Sequence, residues 1–248
     1  MASFYHEMLN PEPVGPVDGS ILKASVVLWG SDFDPYLMRT WLVSFTSDVD
    51  CVKRLRALAA QSSLVIALPG SRRELLYRNL PQLLSSPLCA PVVIVTDDPA
   101  AVGAAPLARP ARIVKALPED LLGSAMSVFR MMACLMAPST YACTDPEDIE
   151  AAFARGSHAQ LCVPYWSPGT GLVFASPEEK EAVDGAKGAI VQVDFERFGS
   201  ISATSRIFGE IRRLCSSDAV AILLAPERMF TMTERCSPLQ PVPILATR

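Results

Sequence analysis

Short apolar runs that alternate with helix-like segments dominate the first half of the 248-residue chain. The runs Ser25–Trp29, Leu64–Leu68 and Pro91–Thr96 are rich in Val, Ile and Leu, which is typical of buried strands. Helical patterns over Val49–Ala60 and Arg73–Leu84 separate these runs. Alternation of this kind predicts a parallel sheet with right-handed crossovers, and therefore an α/β fold.

The same patterns predict a helix over Pro35–Phe45 and a loop over Asp97–Pro110, where Ala, Pro and Gly are frequent. A longer, mostly apolar helix follows over Pro118–Ala137, with Pro118 in its first turn and Pro138 after its end. Its apolar residues occupy more than one face, so we expect this helix to be buried between two layers.

The pattern changes after residue 138. Four strand candidates follow, over Ala159–Pro164, Ala189–Phe195, Val220–Ala225 and Val242–Thr247, and an amphipathic helix over Ser202–Cys215 precedes the third. This order predicts a smaller α/β unit with a mixed sheet. The predicted divisions are a flexible arm over residues 1–20, a sheet domain over 21–117, the central helix over 118–137 and a second domain over 138–248.

Composition argues against several classes of function. The chain has 22 basic and 26 acidic residues, a net charge of −4, so it offers no general basic surface for nucleic acid. No apolar run reaches the roughly 20 residues of a membrane span, and the first residues lack the pattern of a signal peptide, so we expect a cytoplasmic protein. Seven scattered cysteines and two histidines predict core thiols, with no metal site and no cofactor.

The segment Leu64–Arg78 has the layout of a nucleotide-binding loop, because a strand, a turn and a helix follow each other. Glycines in such a loop let backbone N–H groups approach phosphate oxygens, but this segment has a single glycine. One alternative is that Arg72 and Arg73 bind phosphate themselves; the other is a solvated helix start. The missing glycines favour the second. The degenerate loop consists of Gly70, Ser71, Arg72, Arg73 and Glu74.

The C-terminal half contains an ordered set of segments that together indicate a family. Asp184–Asp194 (DGAKGAIVQVD) is followed by a helix, a strand and a terminal strand, and upstream Asp145–Cys162 has the layout helix, glycine, strand. In this order and spacing, residues 22–248 resemble the FtsZ/tubulin family, most specifically in the C-terminal half. The resemblance implies a Rossmann-like parallel sheet, a long central helix and a smaller α/β C-terminal domain with a mixed sheet.

The phosphate-binding signature of this family, GGGTG(T/S)G, is absent from the chain. Ser71–Tyr77 (SRRELLY) stands in its place, and Gly30–Asp34 replaces the first glycine-rich loop. The resemblance therefore implies a pseudo-GTPase, not an enzyme, that assembles with itself or with protein partners. Those partners include an FtsZ-type filament that it binds or caps, or another machine in which it is a scaffold subunit. The alternative is a divergent GTPase or ligand sensor that uses the altered loop.

The segment after the central helix resembles the family's synergy loop, with its NxDxxD signature. Cys143 stands at the Asn position, and Asp145 and Asp148 fall on the two acidic positions. In the family these acids reach into the neighbouring subunit, so the resemblance implies a partner interface at Cys143, Asp145 and Asp148. The residues alone allow another interpretation, in which both acids only cap and favour the start of a helix over Asp145–Arg155.

Overall fold

The computed structural model describes residues 24–29, 44–46, 64–69, 92–103, 112–116, 120–135, 146–194, 198, 200–225 and 240–248. These residues fall into two compact units, one up to Phe129 and one from Arg130 onwards. No helix among them is both long and apolar enough to cross a membrane.

Five described strands of the first unit form a parallel sheet. They are β1 (Ala24–Trp29), β2 (Ser44–Thr46), β3 (Leu64–Pro69), β4 (Val92–Thr96) and β5 (Arg112–Lys115). The spatial order is β2-β1-β3-β4-β5, and every neighbouring pair is parallel. Ile66, Val93 and Ile94 are fully buried, as expected for central strands that are covered on both faces. The predicted parallel sheet is confirmed.

Two elements of the first unit differ from the sequence-based expectation. Ser44–Thr46 pairs with β1, although the sequence predicts a helix as far as Phe45. Aromatic and β-branched residues suit a strand, and pairing with β1 overrides the local helical pattern here. A short helix, α1 (Pro99–Gly103), begins inside the predicted loop because the Asp98 carboxylate caps it, accepting the N–H of Ala101 at 3.1 Å.

The predicted central helix is present as α2 (Leu121–Leu135). Its buried side chains include the neighbouring pairs Val128–Phe129 and Met131–Met132. Consecutive helical residues lie about 100° apart around the axis, so buried neighbours mean a buried arc wider than a single stripe. The expectation that this helix is largely buried is confirmed for its described residues.

The second unit contains three helices and seven strands among its described residues. They are α3 (Pro146–Phe153), β6 (Ala159–Cys162), β7 (Tyr165–Ser167), β8 (Gly171–Val173), α4 (Pro177–Val183), β9 (Gly188–Gln192), α5 (Ile201–Leu214), β10 (Val220–Leu224), β11 (Gln240–Pro241) and β12 (Ile244–Thr247). Strands β10-β9-β12-β6 are neighbours in this order. β9 and β10 are parallel, whereas β12 is antiparallel to both β6 and β9, so the predicted mixed sheet is confirmed.

One face of this mixed sheet is covered by α4 and α5. Ala189 and Val191 of β9 belong to a buried cluster that also contains Val183 of α4 and Ile207 and Ile211 of α5. Successive strand residues point to opposite faces, so the odd-numbered residues of β9 face these two helices. The apolar residues whose spacing predicts α5 therefore face the core.

The opposite face of the sheet is covered by α3. The Thr247 hydroxyl donates a hydrogen bond to the carbonyl of Ala152 at 2.9 Å. Gly188, the register partner of Thr247, lies so close to that carbonyl and to the Thr247 hydroxyl that a Cβ atom would overlap both. The even-numbered side of β9 therefore packs on α3, and only glycine at position 188 allows the close approach.

A second small sheet, β11-β7-β8, is not predicted by the sequence patterns. Residues 168–170 form the turn between β7 and β8, which is closed by a hydrogen bond between the hydroxyls of Ser167 and Thr170 at 2.7 Å. Gly171 has φ +69°, a conformation that favours glycine. Strands of three residues are too short to show a reliable alternation, which is why the pattern fails here.

Candidate functional site

The first turn of α3 carries one of the acids that the sequence singles out. Asp148 is exposed, beside the exposed Glu147, and the helix begins at Pro146, whose fixed φ suits a first turn. Ile149 and Phe153 are buried on the other side of the helix. Burial of that stripe against the sheet leaves Asp148 on the exposed side of the first turn, where its negative charge favours the positive end of the helix.

The other predicted site residues lie outside the described part of the chain. These are Cys143 and Asp145 of the synergy-like segment, and the degenerate loop of Gly70, Ser71, Arg72, Arg73 and Glu74. Of the predicted partner interface, the structure therefore places Asp148. The assignment of the interface and of the degenerate loop stays a prediction.

The carboxyl edge of the parallel sheet is the place where open α/β sheets bind ligands. β3 ends there at Pro69, directly before the degenerate loop, and the neighbouring β4 ends there at Thr96. Asp97 and Asp98 follow, and the Asp98 N–H donates to the Thr96 hydroxyl at 3.1 Å. Since both residues are acidic, their charge disfavours a phosphate at this end of β4.

A groove of about 800 Å³ lies in the second unit, between the β7–β8 turn, the start of α4 and one side of α5. Its charged lining residues are Lys180, Arg206, Arg213 and Glu210, three cations against one acid. Leu172, Phe174 and Leu214 supply apolar surface. Sequence patterns do not bring these residues together, because they belong to three separate segments.

Glu210 lies between the β8 strand and the cations of α5. Its Oε2 atom accepts the N–H of Leu172 at 3.1 Å, and its Oε1 atom accepts the Nε–H of Arg206 at 3.3 Å. A Cβ atom on Gly171 would lie 2.9 Å from Oε2, so glycine there makes room for the carboxylate. The side chain thus joins α5 to the outer edge of β8.

Arg206 is held in the wall of the groove by an aromatic ring as well. Its guanidinium carbon lies 5.8 Å from the centroid of the Trp166 ring, a cation–π contact, and Phe198 packs edge-on against the same ring at 5.6 Å. Trp166 is buried, and its Nε1–H finds no acceptor among the described residues. These contacts fix the direction of one of the three cations.

Glu179 of α4 is a carboxylate with only 9% exposure. Its two oxygens accept the N–H groups of Val163, at 3.1 Å, and Ala175, at 3.0 Å. Its own N–H donates to the Ser176 hydroxyl at 3.2 Å, which caps α4. The spacing Ser-x-x-Glu is a sequence signal for a helix start and would have located α4.

Two described cysteines are free and buried, as predicted for core thiols. Burial, together with the charge of Glu179, raises the pKa of Cys162 to about 12, and burial raises the pKa of Cys215. Both therefore stay protonated at neutral pH and are poor nucleophiles. Within the described ranges, no three His, Cys, Asp or Glu side chains are grouped so that they could hold a metal ion.

No protein-family model matches the chain, and no curated protein is similar to it in sequence. Among solved structures, an FtsZ dimer described as empty, from M. jannaschii, is similar with a TM-score of 0.59 and 11% identity, covering 93% of this chain and 89% of that one. The fold is FtsZ-like. A tryptophan-to-tyrosine mutant of M. jannaschii FtsZ aligns with a TM-score of 0.48 and 12% identity over 80% of this chain and 69% of that one.

The similarity confirms the FtsZ/tubulin-like fold that the order of the C-terminal segments predicts. In both the prediction and the structure, a parallel sheet precedes a long buried helix, and a smaller mixed sheet follows it.

Proposed function

We propose that this protein is a non-catalytic assembly protein with an FtsZ-like fold and a degenerate GTP site. The proposal is based on the residues that follow two neighbouring strands of the parallel sheet. After β3, Ser71–Tyr77 stands where the family has its glycine signature, and Asp97 and Asp98 follow the adjacent β4. Glycines in such a loop let backbone N–H groups approach phosphate oxygens, which the larger residues of this segment disfavour, and the acids after β4 repel a phosphate.

The acidic turn of α3 is the surface that we assign to protein partners. Asp148 is exposed in that turn, and Cys143 and Asp145 precede it in the synergy-like segment. The similar FtsZ structure is described as a dimer, which supports contact between FtsZ-like subunits. Head-to-tail growth needs two complementary surfaces on every subunit. With one acidic surface and one degenerate loop, this protein caps one end of an FtsZ-type filament.

Titration of the full-length chain with GTP in a calorimeter tests the degenerate site. We expect no binding tighter than about 100 µM and no release of phosphate. Replacement of Arg72 and Arg73 by alanine is the matched variant, because these are the two cations of the degenerate loop. Micromolar affinity, or turnover that this double variant abolishes, would instead support a divergent GTPase or ligand sensor.

Co-sedimentation with an FtsZ-type filament protein tests the partner surface. We expect the wild type to bind and to shorten filaments, and Asp145→Ala with Asp148→Ala to weaken binding about fivefold through loss of two negative charges. Glu178→Ala is the matched control, because it also removes an exposed acid from the first turn of a helix, in α4. A wild type that neither binds nor changes assembly excludes capping. Unchanged binding by the double variant would show that the two acids only stabilise the start of the helix and do not contact the partner.

A further inference from the structure

The outer edge of β8 faces away from the small sheet. In the order β11-β7-β8, the described partner of β8 is β7, on one side only. Leu172 lies opposite Trp166 of β7, yet its N–H points the other way, to the Glu210 carboxylate. The N–H and C=O groups of one strand residue point to the same side, so the carbonyl of Leu172 also faces outwards.

Glu210 occupies the position that the next strand of the sheet would take. Its Oε2 atom lies 3.1 Å from the backbone nitrogen of Leu172, the distance of a ladder hydrogen bond. Edge strands with outward N–H and C=O groups are templates for pairing with another chain. A carboxylate oxygen at this point stands in for the backbone carbonyl of an added strand.

The groove beside this edge has the charge and the apolar surface that an extended acidic peptide needs. Lys180, Arg206 and Arg213 outnumber Glu210, so the lining has two excess positive charges, although the whole chain has a net charge of −4. Neither Lys180 nor Arg213 forms an ion pair within the described part of the chain. Leu172, Phe174 and Leu214 lie between these cations and the core.

We propose that the groove between β8 and α5 binds an extended acidic segment of a partner protein as an added strand on β8. A backbone carbonyl of the segment replaces Glu210 at the N–H of Leu172, and Glu210 keeps its contact with Arg206. Alternate side chains of a strand point to opposite sides. Apolar side chains of the segment therefore contact Leu172 and Phe174, and its carboxylates face Arg213 and Lys180. This is strand addition in a groove between a strand and a helix.

The groove is separate from the surface assigned to filament contact. It is formed on the side of the mixed sheet that α4 and α5 cover, whereas Asp148 belongs to α3 on the opposite face. The proposal therefore goes beyond filament capping. Its test uses no filament protein, so a failure here leaves the capping proposal unaffected.

The probe is an acetylated six-residue peptide of alternating valine and glutamate, titrated into the full-length chain. We expect saturable binding tighter than about 1 mM that weakens as salt is raised from about 20 to about 300 mM. Arg213→Glu is expected to weaken binding about tenfold, because it replaces an attraction by a repulsion. Lys187→Glu is the matched control: it makes the same change of charge at an exposed lysine that does not line the groove, and it leaves affinity unchanged.

The mode of binding is tested by the amide resonance of Leu172 and by two further peptides. We expect this resonance to shift on binding. A valine–lysine peptide is not expected to bind, because it has the wrong charge. An N-methylated acidic peptide is not expected to bind either, because it lacks the backbone N–H donors that strand pairing needs. Circular dichroism confirms that each variant is folded.

Several outcomes would overturn the proposal. These are the absence of saturable binding, equal affinities of the wild type and Arg213→Glu, an unmoved Leu172 resonance, and unimpaired binding of the N-methylated peptide. A peptide of residues 1–20 of this chain is the remaining probe, because that segment is also acidic. The partner assignment is wrong if two results are found together. The peptide of residues 1–20 binds more tightly than the valine–glutamate peptide, and deletion of residues 1–20 from the chain strengthens binding of the valine–glutamate peptide. The occupant of the groove is then the chain's own N-terminal segment.

Discussion

Removal of the Glu179 carboxylate is expected to destabilise the second unit substantially. This side chain of α4 has 9% exposure, and its oxygens accept the N–H groups of Val163 at 3.1 Å and of Ala175 at 3.0 Å. Val163 follows β6 of the mixed sheet and Ala175 follows β8 of the small sheet, so one carboxylate fixes connections from two different sheets. The variant Glu179→Ala breaks both hydrogen bonds without adding bulk.

The magnitude follows from how far water can replace the lost acceptor. A hydrogen bond to a charged group contributes about 1.5–3 kcal/mol to stability. Val163 is half-buried and Ala175 is exposed, so water can reach the freed N–H of Ala175 more easily than that of Val163. We therefore expect the free energy of unfolding to fall by about 3 kcal/mol for the two bonds together, which is a large part of the 5–15 kcal/mol typical of a domain.

Urea denaturation at pH 7, followed by circular dichroism, measures this loss. Glu179→Gln is expected to lose about half as much, because its amide oxygen can keep one of the two N–H groups while its NH₂ group faces the other. Glu181→Ala is the matched control on the same helix. Its exposed carboxylate lies 3.6 Å from Nη1 of Arg248, a surface pair whose loss is expected to cost less than about 0.5 kcal/mol.

Equal decreases in the urea midpoint for Glu179→Ala and Glu181→Ala would contradict this prediction. That result would mean that water replaces both hydrogen bonds of Glu179 without cost. A loss with glutamine as large as with alanine would show instead that charge, and not the number of acceptors, stabilises the two connections.

Three further predictions concern the core. Met132→Asp places an unpaired carboxylate on the buried arc of α2 and is expected to lower the free energy of unfolding by about 4 kcal/mol. Ser127→Asp, on the partly exposed side of the same helix, is expected to be tolerated. Equal melting temperatures of the two variants would contradict the burial of α2. Burial raises the pKa of Cys162 from its ordinary 9.0 to about 12, so above pH 9 the unfolded chain loses this proton before the folded chain does, and stability falls as the pH rises. Comparing urea midpoints at pH 8 and pH 10, we expect a contribution of about 1.4 kcal/mol that is absent in Cys162→Ala; an equal pH dependence in both proteins would refute it. Gly188→Ala forces a Cβ against the Ala152 carbonyl and is expected to cost about 1–3 kcal/mol in the same assay, a loss that a neutral result would disprove.

Elements with a strong local signal are predictable from the residue pattern alone. Runs of Val, Ile and Leu identify β3 and β4, and the spacing of apolar residues identifies α2 and α5, because burial imposes a period on each element wherever it packs. The order of the C-terminal segments around Asp184–Asp194 is enough to predict the FtsZ-like fold, which the structural similarity confirms.

Local pattern is misleading where a short segment is defined by its neighbours. Phe45 belongs to a helical pattern in sequence, yet it pairs with Leu28 of β1 in the parallel sheet. The three-residue strands β7 and β8 are not predicted either, because two or three alternations of apolar and polar residues also occur by chance. In both cases the backbone hydrogen bonds to a neighbouring strand decide the conformation.

The contacts of the groove and of the Glu179 carboxylate depend on the packing of segments that are distant in sequence. Leu172 and Glu210 are 38 residues apart in sequence, and Val163 and Glu179 are 16 apart. Each pair meets because α4 and α5 pack on one face of a sheet whose last strand, β12, lies between β6 and β9. Strand order is set by the packing of the whole unit, and no local run of residues encodes it.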